Sequence, residues 1–217
     1  MPSRAVIDGL YPNLLGPDSC LSEDDKKIVE ELEGEERSKK LAELRNRQWR
    51  NKIISDAYEP GSVFKVITAA IALEESKISG KNTFYCNGSA TVAGQNYHCH
   101  KRGGHGTQTL AQAVSNSCNP AFIEIGSRVG TEKFYSYMSG LGFRESTGID
   151  LPGEAVGLMN DFSNFNEVEL ATASFGQGPV VTPLQMITAI SAIANNGKLM
   201  QPHLIKQFLN DDGEIIE

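Results

Sequence analysis

Apolar side chains are spread unevenly along this chain, and the densest run is Ser62 to Leu73. Val63, Phe64, Val66, Ile67, Ala69, Ala70, Ile71 and Leu73 cover nearly every face of a helix. That pattern predicts a core helix buried all round. Ser22 to Arg47 is the opposite, dense in charge with a thin stripe of Ile28, Val29, Leu32, Leu41 and Leu44. Ser22, followed by Glu23-Asp24-Asp25, reads as an N-cap, and the run predicts a solvated helix or pair of helices. Residues 1–21 hold Pro2, Gly9, Pro12, Gly16 and Pro17 and are expected to be irregular. From 77 to 107 Gly, Asn, Lys and His dominate, which predicts loop with short strands. Two short helices are expected over Thr109 to Val114 and Ala121 to Val129, with Pro120 in the first turn of the second. Thr131 is expected to cap a helix ending near Gly140 or Gly142, and Asp150 to Asp161 reads as loop. Thr182-Pro183 opens a helix through Met186, Ile187, Ile190 and Ile193 that Gly197 stops. Residues 202–217 predict a hairpin: Leu204, Ile205 and Phe208, a turn at Asp211-Asp212-Gly213, then Ile215-Ile216.

Composition narrows the classes. The chain has 217 residues, 40 % of them hydrophobic, enough for a core in one large domain or two small ones. Its net charge of −7 argues against a nucleic-acid partner. No run of about 18 apolar residues occurs, so no membrane span is expected. Met1-Pro2-Ser3-Arg4 lacks the basic-then-apolar plan of a signal peptide. The chain therefore reads as soluble, any anchor belonging to a parent protein. Four cysteines, Cys20, Cys86, Cys99 and Cys118, are too few for a disulfide scaffold at this length.

Candidate chemistry begins inside the apolar run. Ser62 and Lys65, three apart on one helical face, place a weak nucleophile beside a base. Lysine serves as a base only when its amine is partly neutral, and burial favours that state. Ser117-Cys118-Asn119 follows 55 residues after Ser62. Ser117 is positioned to relay a proton to a leaving amine. Asn119 is positioned to hold Lys65 and to bond a substrate amide. Backbone N–H groups at the helix start can stabilise an oxyanion. The plainer alternative makes Ser62 an N-cap, Lys65 a surface lysine, and Ser117 and Asn119 caps of the helix that Pro120 begins.

Asp56-Ala57-Tyr58-Glu59-Pro60-Gly61-Ser62-Val63-Phe64-Lys65 resembles the active-serine segment of class B penicillin-binding proteins of the division and sporulation type. Ser117-Cys118-Asn119 resembles their second motif. Ser174-Phe175-Gly176-Gln177-Gly178, with Val181-Thr182-Pro183-Leu184-Gln185, resembles a segment between their second and third motifs. The resemblance covers about residues 50–217. It implies an α+β, β-lactamase-like transpeptidase fold, here mostly its helical part, with residues 1–49 as a strand end and a charged helical segment. It implies a peptidoglycan D,D-transpeptidase in which Ser62 attacks the D-Ala-D-Ala carbonyl of a stem peptide, with Lys65, Ser117 and Asn119 as its catalytic partners. β-Lactams would acylate the same serine. A glycosyltransferase would be a partner, and the parent protein would work at the extracytoplasmic face of the membrane. One departure stands out: the family's third motif, Lys-Thr-Gly or Lys-Ser-Gly, occurs nowhere in this sequence. A catalytically incomplete member acting at most as a binding module is therefore an alternative. A serine β-lactamase is a further one, although no deacylating glutamate is evident.

Cys86 and Cys99 lie thirteen apart, with His98, His100 and His105 crowded about the second. Thiolate and imidazole are zinc's preferred ligands, and a fourth ligand is needed. The segments resemble those of a zinc-binding subset of these proteins, which implies Asp56, Cys86, Cys99 and His100 as ligands. Such a zinc would be structural, tying the 86–105 loop to the start of the serine helix. No organic cofactor is expected. A Cys86–Cys99 disulfide and a pair of free thiols are the alternatives.

Overall fold

The structure is a computed structural model that describes residues 22–210 and 212–215. The expectations for residues 1–21, including the strand end, and for Asp211 and Ile216 lie outside the described residues. The chain divides into two units, residues 1–52 and 53–217.

In the first unit α1 (Glu23–Glu30) and α2 (Gly34–Trp49) pack on each other. Ser22 caps α1 by accepting from the Asp25 N–H at 3.1 Å, and Glu23, Asp24 and Asp25 suit the positive end of the helix dipole. Val29 and Leu44 are buried, Leu32 and Leu41 are half-buried, and Ile28 stays exposed, so the stripe is as thin as the sequence predicts. Exposed pairs such as Lys39–Glu35 at 2.8 Å add little stability.

The second unit begins within α3 (Lys52–Ser55). A 3₁₀ turn, Gly61–Phe64, runs into α4 (Lys65–Glu74). Four short strands come next: β1 (Thr83–Cys86), β2 (Ser89–Val92), β3 (Gln95–His98) and β4 (Gly106–Thr109). β1 pairs antiparallel with β4, Cys86 opposite Gly106, and β2 with β3, Ser89 opposite His98. The β2–β3 hairpin thus sits inside the β1–β4 pair. Its turn, Ala93-Gly94, has φ of +47° and +81°, the signs a two-residue turn needs to match strand twist. Five α-helices follow among the described residues: α5 (Leu110–Ser115), α6 (Asn119–Val129), α7 (Thr131–Gly140), α8 (Glu167–Ala173) and α9 (Pro183–Ala194).

The core lies between α4 and α6. Phe64, Ile67, Phe122 and Ile125 are fully enclosed there, with α7, α8, α9 and the strands around them. Burial of α4 on every face is not what the structure has. Val63, Val66 and Leu73 stay 49, 42 and 45 % exposed, because α6, α7 and α9 cover one side of the helix only. Two smaller corrections concern ends. Gly130, at φ +87°, is the cap before α7, and Thr131 is its first residue. Among the described residues the C-terminal hairpin reduces to one bridge, Leu209 with Ile215. The Leu204 and Ile205 N–H groups instead donate to the Asp150 carboxylate at 2.8 and 2.6 Å. Among the described residues no helix is long and apolar enough to cross a membrane.

Candidate active site

Ser62 is the second residue of the 3₁₀ turn, and Lys65 opens α4. Phe64, between them, is enclosed against Phe134 and Phe143 with ring centroids 6.4 and 5.4 Å away. That apolar anchor fixes the turn and directs its neighbours the other way. The Lys65 side chain is only 3 % exposed. Its Nζ lies 3.1 Å from Ser62 Oγ, 2.8 Å from Ser117 Oγ, 2.8 Å from the Ser117 carbonyl and 2.7 Å from Asn119 Oδ1. The Ser117 hydroxyl reaches Ser62 Oγ at 2.8 Å. The four residues expected from the sequence thus form one connected cluster.

Ser117 is held there by the end of α5. Its N–H donates to the Val114 carbonyl at 2.9 Å, and the Cys118 N–H donates to the Ala113 carbonyl at 3.0 Å. This pair of bonds is the usual helix stop that asks for a left-handed residue at its fifth position, most often glycine. Here a serine takes it, at φ +48°, a backbone state costing an L-residue about 1–2 kcal/mol. Strain of this kind gathers where a side chain is needed for function. Pro120 then starts α6, and Asn119 at the head of that helix faces Lys65.

Burial pushes Lys65 down to about 8, a shift that negative charge on the nearby Cys118 and Cys99 sulfurs would oppose. Phe122, its ring centroid 5.7 Å from Nζ, is part of the apolar wall. At pH 7 roughly a tenth of such amines are neutral, against well under a thousandth at the ordinary lysine value. A base beside a serine hydroxyl is therefore present at neutral pH.

A second cluster backs onto the first. The donor atoms of Cys86, Cys99, His105 and Cys118 all lie within 4.8 Å of one another. The three thiols are buried and unbridged. Three sulfurs and one imidazole are a donor set that fits a closed tetrahedral zinc site. The surroundings agree. The Cys86 thiol is lowered although burial raises it, because backbone N–H groups of His105 and Gly88 bond its sulfur. His105 is held below the ordinary imidazole value by burial and by His100 and Lys101, so its ring is neutral and able to ligate. Cys118 is pushed up to about 12 by burial; metal binding would release that proton.

Of the four residues expected as ligands, the structure brings Cys86 and Cys99 together. The same cluster holds His105 and Cys118. His100 lies at the margin, its Nδ1 4.0 Å from Cys99 Sγ against 3.5 Å for His105 Nδ1, and Asp56 is not in the cluster. Spacing alone could not choose among three histidines. The signal for Cys118 was a third cysteine inside a catalytic motif. Cys118 carries nothing toward solvent, its exposure being 0 %. The two clusters are also joined through the backbone, as Asn119 Nδ2 donates to the His98 carbonyl at 3.3 Å.

The family described as "Penicillin binding protein transpeptidase domain" matches residues 24–214. The chain is 48 % identical over 162 residues to stage V sporulation protein D of Bacillus subtilis, covering 74 % of this chain and 25 % of that protein. It is 31 % identical over 172 residues to the penicillin-binding protein PbpB of Mycobacterium tuberculosis, covering 79 and 25 %. Among solved structures, penicillin-binding protein 3 of Mycobacterium tuberculosis in complex with aztreonam superposes with a TM-score of 0.73 at 31 % identity, over 79 % of this chain and 39 % of that one. The transpeptidase domain of Burkholderia pseudomallei penicillin-binding protein 3 gives 0.68 at 28 %, over 76 and 49 %. The chain spans about a quarter of the length of these curated relatives.

Proposed function

This chain belongs to the penicillin-binding protein transpeptidase family, its fold is the α+β fold of that family, and on that premise we propose that it carries the acylation centre of a peptidoglycan D,D-transpeptidase. The supporting observation is Lys65 Nζ, lowered by burial and within 3.1 Å of Ser62 Oγ, Ser117 Oγ and Asn119 Oδ1. Neutral Lys65 takes the Ser62 proton as Oγ bonds the carbonyl carbon of a D-Ala-D-Ala peptide. The oxyanion forms beside the helix start, where backbone N–H groups lack helical acceptors. Ser117 passes the proton from the Lys65 ammonium to the leaving nitrogen, the C–N bond breaks, and D-alanine departs. An amine from a second strand then attacks the ester and returns Ser62 to its hydroxyl. A β-lactam opens on the same serine, but its amine stays tethered.

The donor set of Cys86, Cys99, His105 and Cys118 supports a structural zinc. It would supply no reaction step; with four protein ligands its work is to fix the loop and, through Cys118, the stretch that bears Ser117 and Asn119. Peptidoglycan peptides and β-lactams are the proposed partners, a glycosyltransferase a further one, and the outer face of the membrane the proposed place of the parent protein.

The missing Lys-Thr-Gly or Lys-Ser-Gly tripeptide favours a second reading for this chain taken alone. In that reading the chain is catalytically incomplete and acts at most as a binding module, and it is the better supported of the two for full turnover. Fluorescent penicillin separates the outcomes. Stable label on wild type and none on Ser62→Ala supports the acylation centre. Label lost within minutes indicates a β-lactamase, and a folded sample that takes no label leaves the binding module.

A further inference from the structure

Four ties join the segment 174–181 to residues 58–68, the stretch that carries Ser62, and one of them, at Gly61, reaches the turn itself. The Gly61 N–H donates to the Gly176 carbonyl at 2.8 Å. Tyr58 and Val181 exchange both backbone bonds at 2.9 Å. The Thr68 hydroxyl, fully buried on α4, donates to the Ser174 carbonyl at 2.9 Å. The Gly178 N–H donates to Glu59 Oε1 at 2.8 Å. The approach is close enough to require a glycine. A Cβ on Gly176, at φ +85°, would fall inside the van der Waals radius of the Gly61 carbonyl. Gly61 and Gly178 also have left-handed backbones, at φ +58° and +92°, a state that favours glycine, although only at Gly176 does the neighbouring backbone leave no room for a side chain.

We propose that Glu59 is a positioning residue for Ser62. Its carboxylate pins the Gly178 end of the 174–181 segment, and that segment holds Gly61, the residue before the nucleophile, in place. The inference rests on Ser62 being the nucleophile. Its logic is geometric. Ser62 Oγ works only within hydrogen-bond reach of Lys65 and Ser117, and a displacement of about 1 Å can cost on the order of 10²-fold in rate. On the C-terminal side of Ser62, α4 and the enclosed Phe64 fix the chain. On the N-terminal side residues 56–60, between α3 and the turn, are not helical, and the 174–181 segment bonds to them at Tyr58 and Glu59. Of the four ties, three use backbone acceptors on the far segment or a buried hydroxyl. Glu59 is the tie whose exposed side chain can be exchanged without opening the core. A carboxylate accepting a backbone N–H makes a charge-assisted bond, yet the role needs an acceptor oxygen rather than a charge, so glutamine should serve.

The test compares wild type, Glu59→Ala and Glu59→Gln by two readouts. The first is the acylation rate constant and the pre-acylation dissociation constant for penicillin, measured separately. The second is backbone hydrogen exchange over peptides covering 58–65 and 174–181. Glu59→Ala should acylate about 10-fold more slowly, with the dissociation constant changed less than about 2-fold and the melting temperature essentially kept. Exchange should quicken in both peptides. Glu59→Gln should recover most of the rate. An alanine variant with wild-type rate, exchange unchanged in the 58–65 peptide, or a glutamine variant as slow as alanine each overturns the proposal. If wild type itself is not acylated, the reading of the function fails, and the exchange data still decide whether Glu59 pins the turn.

Discussion

Lys65 decides what Ser62 can do, since a serine beside a protonated amine has no base. Burial lowers Lys65 from the ordinary lysine value to about 8. The sign follows directly: below pH 8 the protonated amine predominates and acylation is slow, and the rate should rise as pH passes through about 8. A stopped-flow pH profile of penicillin acylation checks this. Lys65→Arg keeps the charge and loses the base, because a guanidinium does not deprotonate; acylation should fall by about 10²–10⁴-fold. Ser117 carries the opposite trade. Ser117→Gly removes the φ +48° strain and also the hydroxyl's bonds to Lys65 and Ser62, so the two effects offset and stability should change by less than about 1 kcal/mol, read by denaturant unfolding, while acylation slows.

At the scale of elements, the helices were the legible part. Ser22 and Thr182-Pro183 announce their helices by capping chemistry, and both are found as caps. Ser62 and Lys65 could be placed on one face from spacing, and Ser117 and Asn119 from their position before Pro120. What spacing could not give was the partner across the fold. The loop of 86–105 closes on α6 through long-range packing, so Cys118 and His105 join Cys86 and Cys99 for reasons no local pattern carries. Gly104 shows how tight that closure is: a side chain there would overlap the Cys86 and Asn87 backbone. The purified protein is expected to hold about one zinc per chain by elemental analysis. Chelation should lower the melting temperature by roughly 10 °C, the shift that about 3 kcal/mol gives in a domain of this size, and Cys118→Ser should lose the metal. Full-strength folding without bound metal would refute the site.

For the whole molecule, the pattern of hydrophobicity over-reads burial. An all-apolar helix implies a core on every side, yet α4 leaves Val66 and Leu73 open, the turn before it leaves Val63 open, and α9 leaves Ile187 and Ile193 at 53 and 36 % exposure. Sequence records that a face is apolar and not whether the chain at hand covers it. Val66→Gln and Ile187→Gln should therefore improve solubility and change stability by no more than about 0.5 kcal/mol, measured by concentration-dependent light scattering and by unfolding.

Intact-mass spectrometry of the folded protein after incubation with a β-lactam, followed by peptide mapping, addresses the central claim most directly. The account predicts one adduct per chain, with the mass of the whole opened β-lactam, located on Ser62 and absent from Ser62→Ala. A folded, zinc-loaded sample that gains no adduct, or one whose adduct persists in Ser62→Ala, would contradict it.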